Sequence, residues 1–181
     1  GNNAYPYAVR QNADILKQIY IAKKDVESYL ALCEKAKTTP RDCENIANIY
    51  KKKRRPQDAL LWVDKGIGLE KRDTWPNESA RDLSTLRREL LNDLGQKGDA
   101  LESAWSEFKA YPSVFSYDEL MKYVSKKDRK HWHNRAIDEV KKASLPETIE
   151  LCTKTKEWEI LAECINACRH EDLESISHYT T

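Results

Sequence analysis

Apolar side chains return every three or four positions along most of this chain, and the polar residues between them face the other way. From Arg41 to Lys52 the recurring positions are Cys43, Ile46, Ala47, Ile49 and Tyr50, the one-sided stripe of a short amphipathic helix. The run KKKRR closes it. Pro56 then suits the first position of a second helix, where its missing N–H would have no partner anyway. Ala59, Leu60, Val63 and Ile67 form that helix's stripe, with Trp62 alongside. So short a turn predicts an antiparallel pair. The same grammar returns from Arg81 through Leu83, Leu86, Leu90, Leu91 and Leu94, then a turn over Gly95 to Gly98, then Leu101, Ala104, Trp105 and Phe108, with Tyr111 and Pro112 as the stop. A third pair is predicted from Tyr117, with Leu120, Tyr123 and Val124 facing the stripe Trp132, Ala136, Ile137 and Val140 of a helix over His131 to Lys142.

Shorter helices follow at both ends. Pro146 opens one with Ile149, Leu151 and Cys152; Trp158, Leu161, Ala162 and Ile165 mark the next, and Leu173 and Ile176 begin another. Upstream, Ala8 to Tyr20 and Lys24 to Lys37 read as an initial hairpin ended by Thr38, Thr39 and Pro40. Lys71 to Ser79 is the one long loop, since Trp75 before a proline is held extended. No strand pattern of comparable strength occurs.

Two stretches nearly repeat each other: PQDALLWVDKGI from Pro56 and KGDALESAWSEF from Lys97. Ala59, Ala100 and Ala136 take the same place in successive pairs, 41 and then 36 residues apart. Helix pairs recurring at that period predict an α-solenoid, because one hairpin cannot cover its own apolar face and stacking supplies the cover. The expected fold is all-α, an α-α superhelix of antiparallel helical hairpins. Residues 1–40 would form an N-terminal hairpin and 41–181 a continuous repeat array, as a piece of a longer protein.

These residues resemble the tetratricopeptide repeats. Ile46, Ala47, Tyr50, Ala59, Val63 and Gly66 fall at the spacings that family uses for hairpin packing. The second pair keeps Leu91, Ala100 and the closing Pro112, with Arg88 and Glu107 where the family prefers small residues. More closely, Asp42 to about Arg169 is similar to the uncharacterised helical region that bacterial proteins carry after a SWIM-type zinc finger; the finger's own CxC and CxH ligands are absent here.

Composition narrows the function classes. Lys plus Arg number 31 against 30 for Asp plus Glu, so the chain has no large one-signed field for a polyanion or a membrane surface. No run approaches the roughly 20 apolar residues of a membrane span, and no apolar block resembles a signal peptide; a cytoplasmic location is expected. Five cysteines, Cys33, Cys43, Cys152, Cys164 and Cys168, show no CxxC spacing and read as reduced, buried thiols.

Candidate chemistry is sparse. Cys164, Cys168 and His170 could start a zinc site, with Cys152 or His178 as a distant fourth ligand, but the spacing is not that of a zinc knuckle and buried thiols are preferred. No metal or other cofactor is expected. His131 and His133, two apart on a helix, point to opposite sides and cannot share a metal; they read as surface residues flanking a core Trp132. Lys51 to Arg55 could touch phosphates from a hairpin tip, and Lys126, Lys127, Arg129 and Lys130 form a second basic tip. Cations also suit a helix C-terminus. No phosphate loop, HExxH, GxSxG or Cys–His pair occurs, so no enzyme is expected. Asn77-Glu78-Ser79 is formally a glycosylation acceptor and, without a secretory signal, reads as chance.

The expected function is a non-enzymatic scaffold for protein–protein interaction. The resemblance implies that the first helix of each pair lines the concave face. A protein segment or neighbouring domain would then meet Glu44, Asn48, Lys51 and Lys52 from one helix, and Thr85, Glu89, Asn92 and Asp93 from the next. Glu44 and Leu86 replace groups of the family's carboxylate clamp, which disfavours a chaperone-tail receptor. The alternatives are nucleic-acid binding through the basic tips, or an accessory helical domain of a larger enzyme. The identity of the partner and the oligomeric state are not written in the chain.

Overall fold

A computed structural model describes residues 4–34, 38–70 and 78–167. These residues form ten helices and no strand: α1 Ala4–Lys23, α2 Val26–Glu34, α3 Pro40–Lys52, α4 Pro56–Glu70, α5 Glu78–Asp93, α6 Lys97–Ala110, α7 Val114–Tyr123, α8 Arg129–Val140, α9 Leu145–Thr155 and α10 Trp158–Ala167. None of the described helices is long and apolar enough to cross a membrane. The chain divides into two compact units, Gly1–Gln96 and Lys97–Thr181.

In the first unit α3 and α4 form the expected antiparallel pair, and α5 packs on both. Pro40, read from the sequence as a terminator, instead occupies the first turn of α3. Thr39 caps that helix, accepting from the Asp42 amide while the Asp42 side chain reaches back to the Thr39 amide. Ala47, Ala59, Val63, Leu83, Leu86 and Leu90 make one core between the three helices. Gly66 explains how closely they approach: a Cβ there would sit 2.9 Å from both Cys43 Cβ and Leu83 Cδ1. A second core joins α2 to α3 through Val26, Tyr29, Cys33, Ile46 and Ile49.

In the second unit Ala104, Trp105, Phe108, Tyr117, Leu120, Ala136, Ile137, Val140, Leu151 and Cys152 share one core. Trp105 stacks on Phe108 at 5.7 Å between ring centroids. The third pair predicted from the sequence is modified here, because α7 packs chiefly on α6 and also meets α8 and α9. α7 begins at Val114, three residues before Tyr117, since Ser113 and Ser116 cap its first turn reciprocally. The Ala136 echo is also displaced: Ala59 and Ala100 each stand in the first turn of their helices, whereas Ala136 lies a turn further into α8.

The helix ends reveal a repeat that the residues themselves hide. α1, α3, α5 and α9 all stop in the same way, with one residue in the left-handed conformation: Lys24 at φ 55°, Arg54 at 58°, Gly95 at 80° and Lys156 at 65°. The next amide then bonds five residues back, Asp25 to Tyr20 at 2.9 Å, Arg55 to Tyr50 at 3.0 Å, Gln96 to Leu91 at 2.9 Å and Glu157 to Cys152 at 2.8 Å. This is the Schellman closure, which satisfies the carbonyls a helix leaves open at its end. The next helix starts one residue later each time. Gly98, expected in the turn, therefore lies inside α6, and Glu78 and Ser79, expected in the long loop, begin α5. The rest of that loop, including Trp75 and Asn77, and the helix foreseen from Leu173 lie outside the described residues.

Candidate functional site

Eight residues were expected to meet a partner, and helical spacing sorts them. On α3, Glu44, Asn48 and Lys51 fall on one line with Arg41, and on α5, Thr85, Glu89 and Asn92 fall on one line with Asp82. The fold sets these two lines beside each other. Lys51 Nζ lies 2.5 Å from Glu89 Oε2, and Arg41 Nη1 lies 2.7 Å from Glu44 Oε2 and 3.7 Å from Asp82 Oδ2. Thr85 Oγ1 accepts a hydrogen bond from Arg88 at 3.1 Å. Lys52, Asn92 and Asp93 are exposed, and Asn48 is half-buried.

The face is thus a seam of alternating charges. Arg41 and Asp82 belong to it and escaped the sequence reading; extending each stripe one turn toward its N-terminus would have found them. The Arg41 and Asp82 side chains are 63% and 47% exposed, Lys51 and Glu89 34% and 46%. Pairs so exposed contribute little to stability, roughly 0–1 kcal/mol each.

What holds α3 in place lies beneath. Asp42, 3% exposed, accepts from Tyr29 Oη at 2.9 Å and from the Thr39 amide and hydroxyl at 3.0 and 2.8 Å, and pairs with Lys17 Nζ at 2.7 Å. Asn45 donates to Tyr29 Oη at 3.1 Å. Burial pushes the Asp42 carboxyl up, but Lys17 and the hydrogen bonds outweigh it and hold the group below its ordinary range. One carboxylate therefore ties α1, α2 and α3 together. Burial raises the neighbouring Cys33 thiol to about 11, which leaves it protonated and unreactive near neutral pH.

The basic tip at Lys51 to Arg55 is partly spent. Lys51 serves Glu89, and Arg55 donates from Nε to Asp58 at 2.8 Å while lying 5.0 Å over the Tyr50 ring. Lys52, Lys53 and Arg54 remain exposed. Of the second basic tip, Lys126 and Lys127 lie in the turn between α7 and α8, and Arg129 and Lys130 open α8.

The histidines need a correction. His131 is exposed, edge-on to Trp132, as expected. His133 is not a surface residue: its side chain is 19% exposed, with Nδ1 2.9 Å from Tyr117 Oη and Nε2 2.8 Å from Glu157 Oε1. It joins α7, α8 and the turn between α9 and α10. Both ring nitrogens are engaged, so the ring is a tertiary link. Nothing local in HWH signals this, since both partners are distant in sequence.

Of the zinc candidates, Cys152 is fully buried in the core of the second unit, where burial raises its thiol. Cys33, Cys43 and Cys152 are free thiols. Cys168, His170 and His178 lie outside the described residues. Among the described residues, no three His, Cys, Asp or Glu side chains gather to hold a metal ion.

Residues 7–170 match a family described as a family of unknown function, DUF6880. No curated protein and no solved structure matches the chain.

Proposed function

We propose, from the premise that the chain belongs to the DUF6880 family, a family of unknown function, that it is a binding scaffold whose working surface is the seam of α3 and α5. The observation that carries this reading is the Lys51–Glu89 pair, which brings the two lines of polar residues onto one face. A protein segment bearing both signs would replace Glu89 opposite Lys51 and Asp82 opposite Arg41 with its own groups. The buried Asp42 cluster supports the reading because it fixes the register of α3, so the face is ordered before a partner arrives.

In this proposal α3, α4 and α5 stack as in tetratricopeptide repeats, with α3 and α5 as successive first helices. The recurrent left-handed helix closures and the close approach at Gly66 support that view. The resemblance read from the sequence to helical regions that follow SWIM-type fingers would make a neighbouring domain of the same protein one suitable partner. Binding through the basic tip is less favoured, because Arg55 is held by both Asp58 and the Tyr50 ring.

The test is affinity capture from a native lysate, with the unaltered chain and the Asn48→Ala/Glu89→Lys double variant as baits, with and without nuclease. A protein recovered only by the unaltered chain, with equal helix content in both baits, is the expected result. Equal recovery by both baits, or recovery that nuclease abolishes, would remove the seam as the binding surface.

A further inference from the structure

In the second unit a cation stands where a helix closure would be relaxed by glycine. Lys156 ends α9 at φ 65°, and its side chain is exposed, so packing does not account for it. Attraction to the helix C-terminus does not require it either, because Lys154 already stands in the last turn. Backbone strain kept at an exposed position is a mark of function.

The fold gathers further cations around Lys156. Its neighbour Glu157 meets His133 Nε2 at 2.8 Å, and Arg129 lies one turn before His133, at the start of α8. Tyr117 feels the charges of both Arg129 and Glu157. The turn that leads into Arg129 adds Lys126 and Lys127, and Lys130 follows. These four and Lys156 are exposed, and none of the five forms an ion pair among the described residues. The acids of this end are engaged elsewhere: Asp118 with Lys154, Glu119 with Lys122, Asp128 with the Ser125 hydroxyl at 2.6 Å, and Glu157 with His133. Glu159, exposed at the start of α10, is the one acid here without a partner among the described residues.

Such a surface suits an anionic partner, and Trp158 narrows its kind. This indole follows Lys156 by two residues and is 57% exposed. The other described tryptophans have cations over their rings: Lys65 at 4.2 Å from the Trp62 centroid, and Arg135 at 4.6 and 4.4 Å from those of Trp105 and Trp132. No ring or cation lies over Trp158 among the described residues. An open indole face beside unpaired cations matches a nucleobase beside its phosphates. An acidic peptide would satisfy the cations and leave the indole face unused. A single exposed ring falls short of the apolar face by which a helix lies in a membrane surface.

We infer that this end of the second unit binds single-stranded nucleic acid, with backbone phosphates on Lys156, Arg129 and the cations of the α7–α8 turn, and a base stacked on Trp158. Every base has a face to stack, so the contact is tolerant of sequence. The surface lies apart from the α3 and α5 seam. A failure of either proposal leaves the other standing.

The test is fluorescence anisotropy of a labelled oligothymidylate of about twelve nucleotides, titrated with the full chain at low salt. It should bind, with an affinity that falls steeply as salt rises. Lys156→Gly should weaken binding about three- to tenfold and flatten the salt dependence, while raising the urea midpoint of the fold, so that unfolding cannot explain the loss. Trp158→Ala should weaken binding about tenfold, and Trp158→Phe should restore most of it. Lys141→Ala, which removes a cation at the other end of α8, should stay within about twofold of the unaltered chain. Equal losses in Lys156→Gly and Lys141→Ala would reduce the effect to general charge attraction and overturn the proposal. So would a Trp158→Ala chain that binds like the unaltered one, decaglutamate that binds as tightly as oligothymidylate, or no binding of oligothymidylate.

Discussion

Asp42→Ala is the perturbation that most directly tests how the α3 face is held. The Asp42 carboxylate is 3% exposed and serves Lys17, Tyr29 and both polar groups of Thr39. Losing the reach-back to Thr39 removes half of a capping box, about 1 kcal/mol. Removing one member of a buried ion pair typically costs about 3–5 kcal/mol. Here that figure falls toward its lower end, because the Lys17 side chain keeps 20% of its exposure and can rehydrate. The expected loss is therefore about 3–4 kcal/mol, measured by urea unfolding followed by circular dichroism. Hydrogen exchange should rise in peptides covering α1 to α3. The sign with pH is also determined. Because the folded carboxyl lies below its ordinary value of 3.8, its contribution is complete above that value and is lost as pH falls through the folded value. Asp42→Asn should flatten the stability slope in that acid window. A loss below about 1 kcal/mol for Asp42→Ala would refute the reasoning, because it would mean that the cluster carries less than its cap alone.

Two further outcomes follow from the backbone. Gly66→Ala should cost about 1–3 kcal/mol in the same unfolding assay, because the new methyl meets Cys43 and Leu83 at 2.9 Å; Gly68→Ala, with open space around its Cβ, should be neutral or mildly stabilising. The left-handed helix closures predict opposite signs at equivalent places. Gly95→Ala should destabilise by about 1 kcal/mol although its Cβ meets nothing, and Lys156→Gly should stabilise by about 0.5–1 kcal/mol, both read as shifts in the urea midpoint.

Much of the helical order was legible because burial in helices leaves a periodic trace. Ile46, Ala47, Ala59, Val63, Leu83 and Leu90, placed inward by spacing alone, are all fully buried. Pro56 opens α4 as its missing N–H required. Boundaries set by side-chain caps were harder to see. Thr39 with Asp42 and Ser113 with Ser116 extend α3 and α7 beyond their apolar stripes, and polar residues carry no periodic signal. The shared helix closure was hidden for a related reason. Backbone conformation repeats at Lys24, Arg54, Gly95 and Lys156, while only one of the four is a glycine.

The sequence by itself therefore determined an all-helical chain, most of its inward faces, and two lines of polar residues on α3 and α5, since each of these is a property of one helix. Only the tertiary structure decided which lines meet. It set Lys51 against Glu89 across 38 positions, buried Arg88 at a place where a small residue was expected, and drew His133 between Tyr117 and Glu157. It also laid Arg135 over Trp105, which lies 30 positions away on another helix. The physical reason is that periodicity records which side of a helix avoids water, whereas ion pairs, ring stacking and shared protons depend on distances between helices. Those distances are set by packing, down to the missing Cβ of Gly66 that lets α3 and α5 approach α4.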